Sequence, residues 1–126
     1  MFTVQRIDHV EVFVRDLAAA AGWYARVLGL QEVCRWDPEP IMIGAGDTKL
    51  ALFQAASAAA HTAGASAATC HWHRVAWRTD RAGLEAAQQH LAQLGIPFRG
   101  PIDHGLAWSI YFADPDGNPL EITYYP

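Results

Sequence analysis

Asp114-Pro115-Asp116-Gly117-Asn118-Pro119-Leu120-Glu121-Ile122-Thr123 is the stretch on which the fold reading turns. Its first half is built of turn formers. Proline presets φ, aspartate bonds nearby backbone, and glycine accepts a positive φ. A strand must therefore leave Asp114 and another must enter near Leu120. The preceding Ser109-Ile110-Tyr111-Phe112 is apolar enough to be the first arm, so the two form a β-hairpin. Its outgoing arm carries a carboxylate, Glu121, in an otherwise uncharged strand.

Working back from the hairpin, residues 71–79 read as a strand. Asp80 caps a helix over about 81–94, with Leu84, Ala87, Leu91 and Leu94 on one stripe, and Gly95 ends it. Strands follow near 97–99, 107–113 and 120–125. The first half of the chain has the same order. Residues 6–15 alternate, with Val10, Val12 and Val14 on one face and Ile7, His9, Glu11 and Phe13 on the other. Asp16 caps a helix over about 17–28 with Leu17, Ala21, Tyr24 and Leu28 as its stripe, and Gly29 stops it. Strands near 31–35, 41–43 and 49–53 complete the half. Between the halves, 55–70 is rich in Ala, Ser, Thr and Gly and reads as a surface linker. The fold class is α+β: two βαβββ modules, about 1–54 and 71–126, paired around a cavity in one domain spanning 1–126.

Composition narrows the function. The chain has 126 residues, 52% apolar and 17% charged, with a formal net charge of −4. That is a globular chain with no electrostatic case for nucleic acid. No apolar run reaches a membrane span, and the N-terminus has no signal pattern, so the expected location is the cytoplasm. Cys34 and Cys70 fit no CxxC motif and read as two free thiols, in preference to a single disulfide.

The segments IDHVEVFVRDL…WYARVLGL, HRVAWRTD and SIYFADPDGNPLEI resemble the vicinal oxygen chelate superfamily. That superfamily includes glyoxalase I, extradiol dioxygenases, fosfomycin-resistance thiol transferases and bleomycin-binding proteins. The resemblance implies a divalent metal (Fe, Mn, Ni or Zn), held by a His on the first strand of one module, a His or Glu on the first strand of the other, and a Glu on the last strand. His9 and Glu121 occupy two of these positions. At the third, Arg74 stands where a His is expected, and an arginine cannot ligate a cation. His73 precedes it and needs a bulge to reach the same face. Three arrangements follow. His73 completes the site; Arg74 replaces the ligand and pairs with Glu121, Glu11 or an anionic substrate group; or His9 and Glu121 hold a weak site with water and Glu11.

Other side chains have a functional and a plainer reading. His104, in the loop Asp103-His104-Gly105, is an acid/base, a substrate contact or a solvated loop histidine. Ser109 and Tyr111 share a strand face and either touch substrate or pack; Phe13 lies on the cavity face by parity. Glu11 is a base or a partner for Arg74. Trp36, Trp77 and Trp108 fill the core or line an aromatic pocket, with core filling the default. His61 and His90 read as exposed.

The leading expectation is a small enzyme of the glyoxalase/dioxygenase type, chelating a small oxygenated substrate on a metal while Glu121 or Glu11 moves the proton. The alternative is a metal-free cavity binding an aromatic or anionic small molecule, as bleomycin-binding relatives do. An isomerase or epimerase of carboxylic-acid thioesters is a third class. Relatives commonly dimerise, so a homodimer is expected.

Overall fold

The computed structural model describes residues 1, 3, 5, 7–55 and 74–126. The 55–70 linker reading, the start of the 71–79 strand, His61, Cys70 and His73 lie largely or wholly outside these residues. The chain forms two compact units, Met1–Ser66 and Ala67–Pro126. Each follows the order strand, helix, three strands.

In the first unit, β1 (Val10–Val14) leads through the Asp16 cap into α1 (Leu17–Leu28), followed by β2 (Gln31–Arg35), β3 (Ile41–Ala45) and β4 (Thr48–Gln54). The sheet order is β1-β4-β3-β2. β1 runs parallel to β4 and the other neighbours are antiparallel. Asp16 Oδ1 accepts the Ala19 N–H at 2.8 Å, and Gly29 closes the helix at φ 70°, where its lack of a Cβ removes the steric penalty. His9 precedes β1 rather than lying within it.

One face of this sheet and α1 make the core. Val14, Ile41, Ile43, Leu50 and Leu52 are buried with Leu17, Ala20, Trp23, Tyr24 and Val27 of the helix. The buried stripe is thus 17-20-24-27, one step around from the expected 17-21-24-28. Both sets obey helical spacing, and the tilt of α1 on the sheet selects between them. The opposite sheet face carries a smaller cluster of Phe13, Met42, Ala51 and Phe53.

The second unit repeats the plan with β5 (Val75–Arg78), α2 (Arg81–Gln93), β6 (Arg99–Asp103), β7 (Trp108–Ala113) and β8 (Pro119–Tyr124), in sheet order β5-β8-β7-β6. Leu84 and Leu91 of α2 are buried, as are Ile110, Phe112, Leu120 and Ile122 of the sheet. Leu94, expected on the helix stripe, is 39% exposed, because the helix has ended before it. β6 begins where the 97–99 strand was expected to end and continues to Asp103.

The hairpin forms as its turn residues require. Asp114 Oδ1 accepts the backbone N–H groups of Asp116 (2.9 Å) and Asn118 (2.8 Å), while Oδ2 accepts Asn118 Nδ2–H at 2.7 Å. Gly117 takes φ 85°. The resulting register sets Glu121 opposite Tyr111 on β7 and opposite Ala76 on β5. Among the described residues no helix is long and apolar enough to cross a membrane.

Candidate functional site

In the second unit, strand alternation puts Ile110, Phe112, Leu120 and Ile122 toward α2. Ser109, Tyr111, Glu121 and Thr123 therefore share the other face. Arg74, just before β5, reaches over this face. Its guanidinium carbon lies 4.4 Å from the Tyr111 ring centroid, and its Nη1 lies 3.9 Å from Glu121 Oε2. The two side chains are 26% and 18% exposed, so the pair is largely withdrawn from water. Arg74 Nε is buried and makes no hydrogen bond.

Arg99, directly opposite Tyr111 in the β6–β7 ladder, brings a second guanidinium to 5.1 Å from the same ring. The Tyr111 hydroxyl meets His104 Nε2 at 2.6 Å, and the two rings stand edge to face. Arg74, Arg99, Tyr111, His104 and Glu121 thus form one cluster. With His104 neutral, its two guanidiniums outweigh its one carboxylate. Such a site attracts anions, and a guanidinium fork matches the geometry of a carboxylate or phosphate. Ser109 sits deeper: it is buried and donates to Thr123 Oγ1 at 3.0 Å.

In the first unit, His9 and Glu11 project from the start of β1. His9 Nδ1 meets Asp8 Oδ2 at 2.8 Å, and Lys49 donates to Asp8 Oδ1 at 3.1 Å. The hydrogen bond from His9, then that from Lys49, holds the Asp8 carboxyl below the usual carboxylate range. His9 Nε2 lies 3.6 Å from Glu11 Oε1. Phe13 belongs to the Phe13–Met42–Ala51–Phe53 cluster, its ring 6.5 Å from that of Phe53.

The registers reveal a reciprocal exchange between the modules. On the first sheet the carboxylate is on the leading strand, Glu11, opposite Ala51. On the second it is on the closing strand, Glu121, opposite Ala76. The residue two places before Glu11 is His9, and the residue two places before Ala76 is Arg74.

Among the described residues of the second sheet, the donor set does not fit a divalent metal. Glu121 has a guanidinium as its neighbour, and a cation placed there would sit against that charge. Among the described residues, no three His, Cys, Asp or Glu side chains gather as metal ligands.

The sequence reading brought Arg74, Tyr111, His104 and Glu121 into consideration, and they do come together. It missed Arg99, whose only signal was its place opposite Tyr111 in a strand that the reading began too early. Trp36 departs from the core-filling default, at 53% exposed. Trp77 and Trp108 are half-buried.

The Glyoxalase/Bleomycin resistance protein/Dioxygenase superfamily profile matches residues 6–122 of the chain. Among solved structures, a virulence protein from Salmonella typhimurium is 26% identical, with a TM-score of 0.75, covering 99% of this chain and 100% of that one. A lactoylglutathione lyase from Agrobacterium tumefaciens is 21% identical, with a TM-score of 0.78, covering 96% of this chain and 94% of the other. An antibiotic-binding protein from a Streptomyces species is 20% identical over 100% of both chains, with a TM-score of 0.77. The last two likenesses establish the fold alone.

Proposed function

From the premise that the chain belongs to the glyoxalase/bleomycin resistance protein/dioxygenase superfamily, we propose that it is a metal-independent binding protein for a small anionic organic molecule. The observation that carries this reading is the Arg74 guanidinium lying 3.9 Å from Glu121 and 4.4 Å over the Tyr111 ring. At the strand start where the resemblance implies a metal ligand, a fixed cation is present instead. It is already oriented by an aromatic face and a carboxylate, which lowers the entropic cost of receiving an anion.

In this reading Arg74 and Arg99 bind the anionic group. Tyr111 supplies the platform on which both guanidiniums rest, with a cation–π contribution of about 0.5–2 kcal/mol. His104 anchors the Tyr111 hydroxyl. Glu121 orients Arg74 and repels ligands whose anionic group approaches from its own side. Ser109, through Thr123, supports the strand pair beneath. Aromatic carboxylates are the class that uses the site best, because a carboxylate takes a guanidinium fork and a ring stacks on a guanidinium plane. The homodimer implied by the resemblance is proposed for the protein in solution.

The test pairs metal content with ligand binding. The untagged protein, purified without chelator, is analysed for Fe, Mn, Ni and Zn, and a panel of aryl carboxylates and their methyl esters is titrated calorimetrically. The proposal requires carboxylates to bind, esters not to, and added metal to leave the affinity unchanged. Near one metal per chain, lost in Glu121→Ala, would overturn it in favour of the metal-dependent enzyme. In that enzyme His9, His73 and Glu121 would be the ligands, with Glu121 or Glu11 moving the proton.

A further inference from the structure

The two modules begin their helices alike and then diverge. Asp80 Oδ1 accepts the Gly83 N–H at 2.7 Å, as Asp16 Oδ1 accepts that of Ala19 at 2.8 Å, so the two caps align α1 and α2 residue by residue. In that alignment the buried stripe of α1, Leu17, Ala20, Tyr24 and Val27, corresponds to Arg81, Leu84, Gln88 and Leu91. Leu84 and Leu91 are buried, as their counterparts are. Gln88, however, takes the place of the fully buried Tyr24, and Ala87 that of the buried Trp23. The second helix therefore lacks the two rings with which the first packs its helix–sheet layer.

A recess of about 280 Å³ opens at Gln88, between the first turns of α2 and its own sheet. Trp108 and Tyr124, opposite each other in the β7–β8 ladder, line it together with Leu84, and Pro101 borders it from β6. Alternation puts both aromatic residues on the face of Ile110 and Ile122, toward α2 and away from Tyr111 and Glu121. Both are half-buried, with the polar side chains of Arg81, Glu85 and Gln88 at the helix side of the recess.

We propose that this recess binds a small uncharged phenol, its ring standing in for the one that Tyr24 supplies in the first module and its hydroxyl donating to Gln88 Oε1. Three observations set the class. The walls are indole, phenol ring, leucine and proline, which reward a flat ring by dispersion and edge or face contact. Arg81 Nε lies 3.3 Å from Glu85 Oε1, and this pair leaves the rim without formal net charge, so neither an anion nor a cation is favoured. Gln88 Nε2–H donates to Leu84 O at 3.2 Å, and among the described residues Oε1 accepts no hydrogen bond, so the amide offers its acceptor end. The volume, just below the usual range of about 300–1,000 Å³ for drug-sized ligands, suits a single ring.

This site lies on the opposite sheet face from the anion cluster, does not depend on it, and is tested apart from it. Para-fluorophenol is titrated into the intact protein at neutral pH and followed by fluorine NMR. Saturable binding is expected. Para-fluorotoluene, of the same shape without the hydroxyl, should bind roughly fivefold more weakly, the worth of one net hydrogen bond. Gln88→Tyr puts the first module's ring into the recess and should abolish binding. Gln88→Leu, which suits a buried stripe but offers no acceptor, should weaken the phenol roughly fivefold and leave the toluene unchanged. Circular dichroism confirms that each variant is folded, and Gln88→Leu carries the test if Gln88→Tyr is not. Arg74→Ala should leave phenol binding unchanged while aryl carboxylate binding weakens. The absence of saturable phenol binding, equal binding of the toluene, undiminished phenol binding in folded Gln88→Tyr or in Gln88→Leu, or its loss in Arg74→Ala would overturn the proposal.

Discussion

Arg74 Nη1 stands 3.9 Å from Glu121 Oε2, beyond hydrogen-bond length but within ion-pair range. The pair is therefore coupled by charge while both groups keep hydrogen-bonding capacity for a third party. A bidentate pair would satisfy itself; this one leaves the guanidinium edge able to serve a ligand.

Arg74→Ala is expected to weaken aryl carboxylate binding, and Arg74→Lys to recover little of the loss. A lysine keeps the charge but loses the planar fork and the stacking on Tyr111. The expected loss is about 1.5–3 kcal/mol, the range for hydrogen bonds to charged groups, or roughly 10- to 150-fold in Kd by calorimetry. A lysine variant that binds like wild type would reduce the role of Arg74 to its charge.

Gly100 governs Arg99 without touching the ligand. It has φ 112°, and a Cβ added there would lie 2.7 Å from Ser109 O and 3.1 Å from Ile102 N. Both neighbours are backbone, so neither can yield cheaply. Gly100→Ala should therefore shift β6 on β7, lower the melting temperature and weaken aryl carboxylate binding as Arg99 leaves the Tyr111 ring. Retained binding with lowered stability would show that Arg99 is not needed.

Asp114 holds the hairpin that positions Glu121. Losing its carboxylate in Asp114→Ala leaves the N–H groups of Asp116 and Asn118 without that acceptor. Destabilisation of about 1–3 kcal/mol is expected in urea unfolding. Asp114→Asn, which keeps one carbonyl oxygen, should lose less.

Asp8 sets a pH dependence whose sign follows from its lowered pKa. A carboxyl that titrates lower in the folded state than in the unfolded chain adds stability above its unfolded pKa, near 3.8. That stability is lost as the pH falls through the lower, folded value. Lys49→Ala removes one of the two hydrogen bonds responsible. The Asp8 carboxyl-carbon titration by NMR should move up toward the ordinary value, while staying below it because His9 remains.

Much of the architecture was legible in the chain itself. The turn residues of 114–118, the caps Asp16 and Asp80, and the repeated order of alternation and helical stripe determined two βαβββ modules with the observed helices. These are local properties: backbone preference and periodicity act over a few residues and survive in any packing consistent with them. Strand parity likewise put Ser109 with Tyr111 on one strand face and Glu121 with Thr123 on another, and the hairpin register, Tyr111 opposite Glu121, joined the two into one sheet face.

Only the tertiary structure decided what meets on that face. Whether Arg74 would meet Glu121, Glu11 or a ligand was open in the sequence, because strand parity assigns a side and not a partner. The register of β5 on β8 and of β6 on β7 settled it within the second unit, bringing Arg74 to Glu121 and adding Arg99 to Tyr111. The same holds for Trp36, which composition consigns to the core and the fold of the 36–40 loop leaves in the open. Pairing register depends on contacts between residues far apart in the chain, and a long, charged side chain ends where those contacts leave room for it.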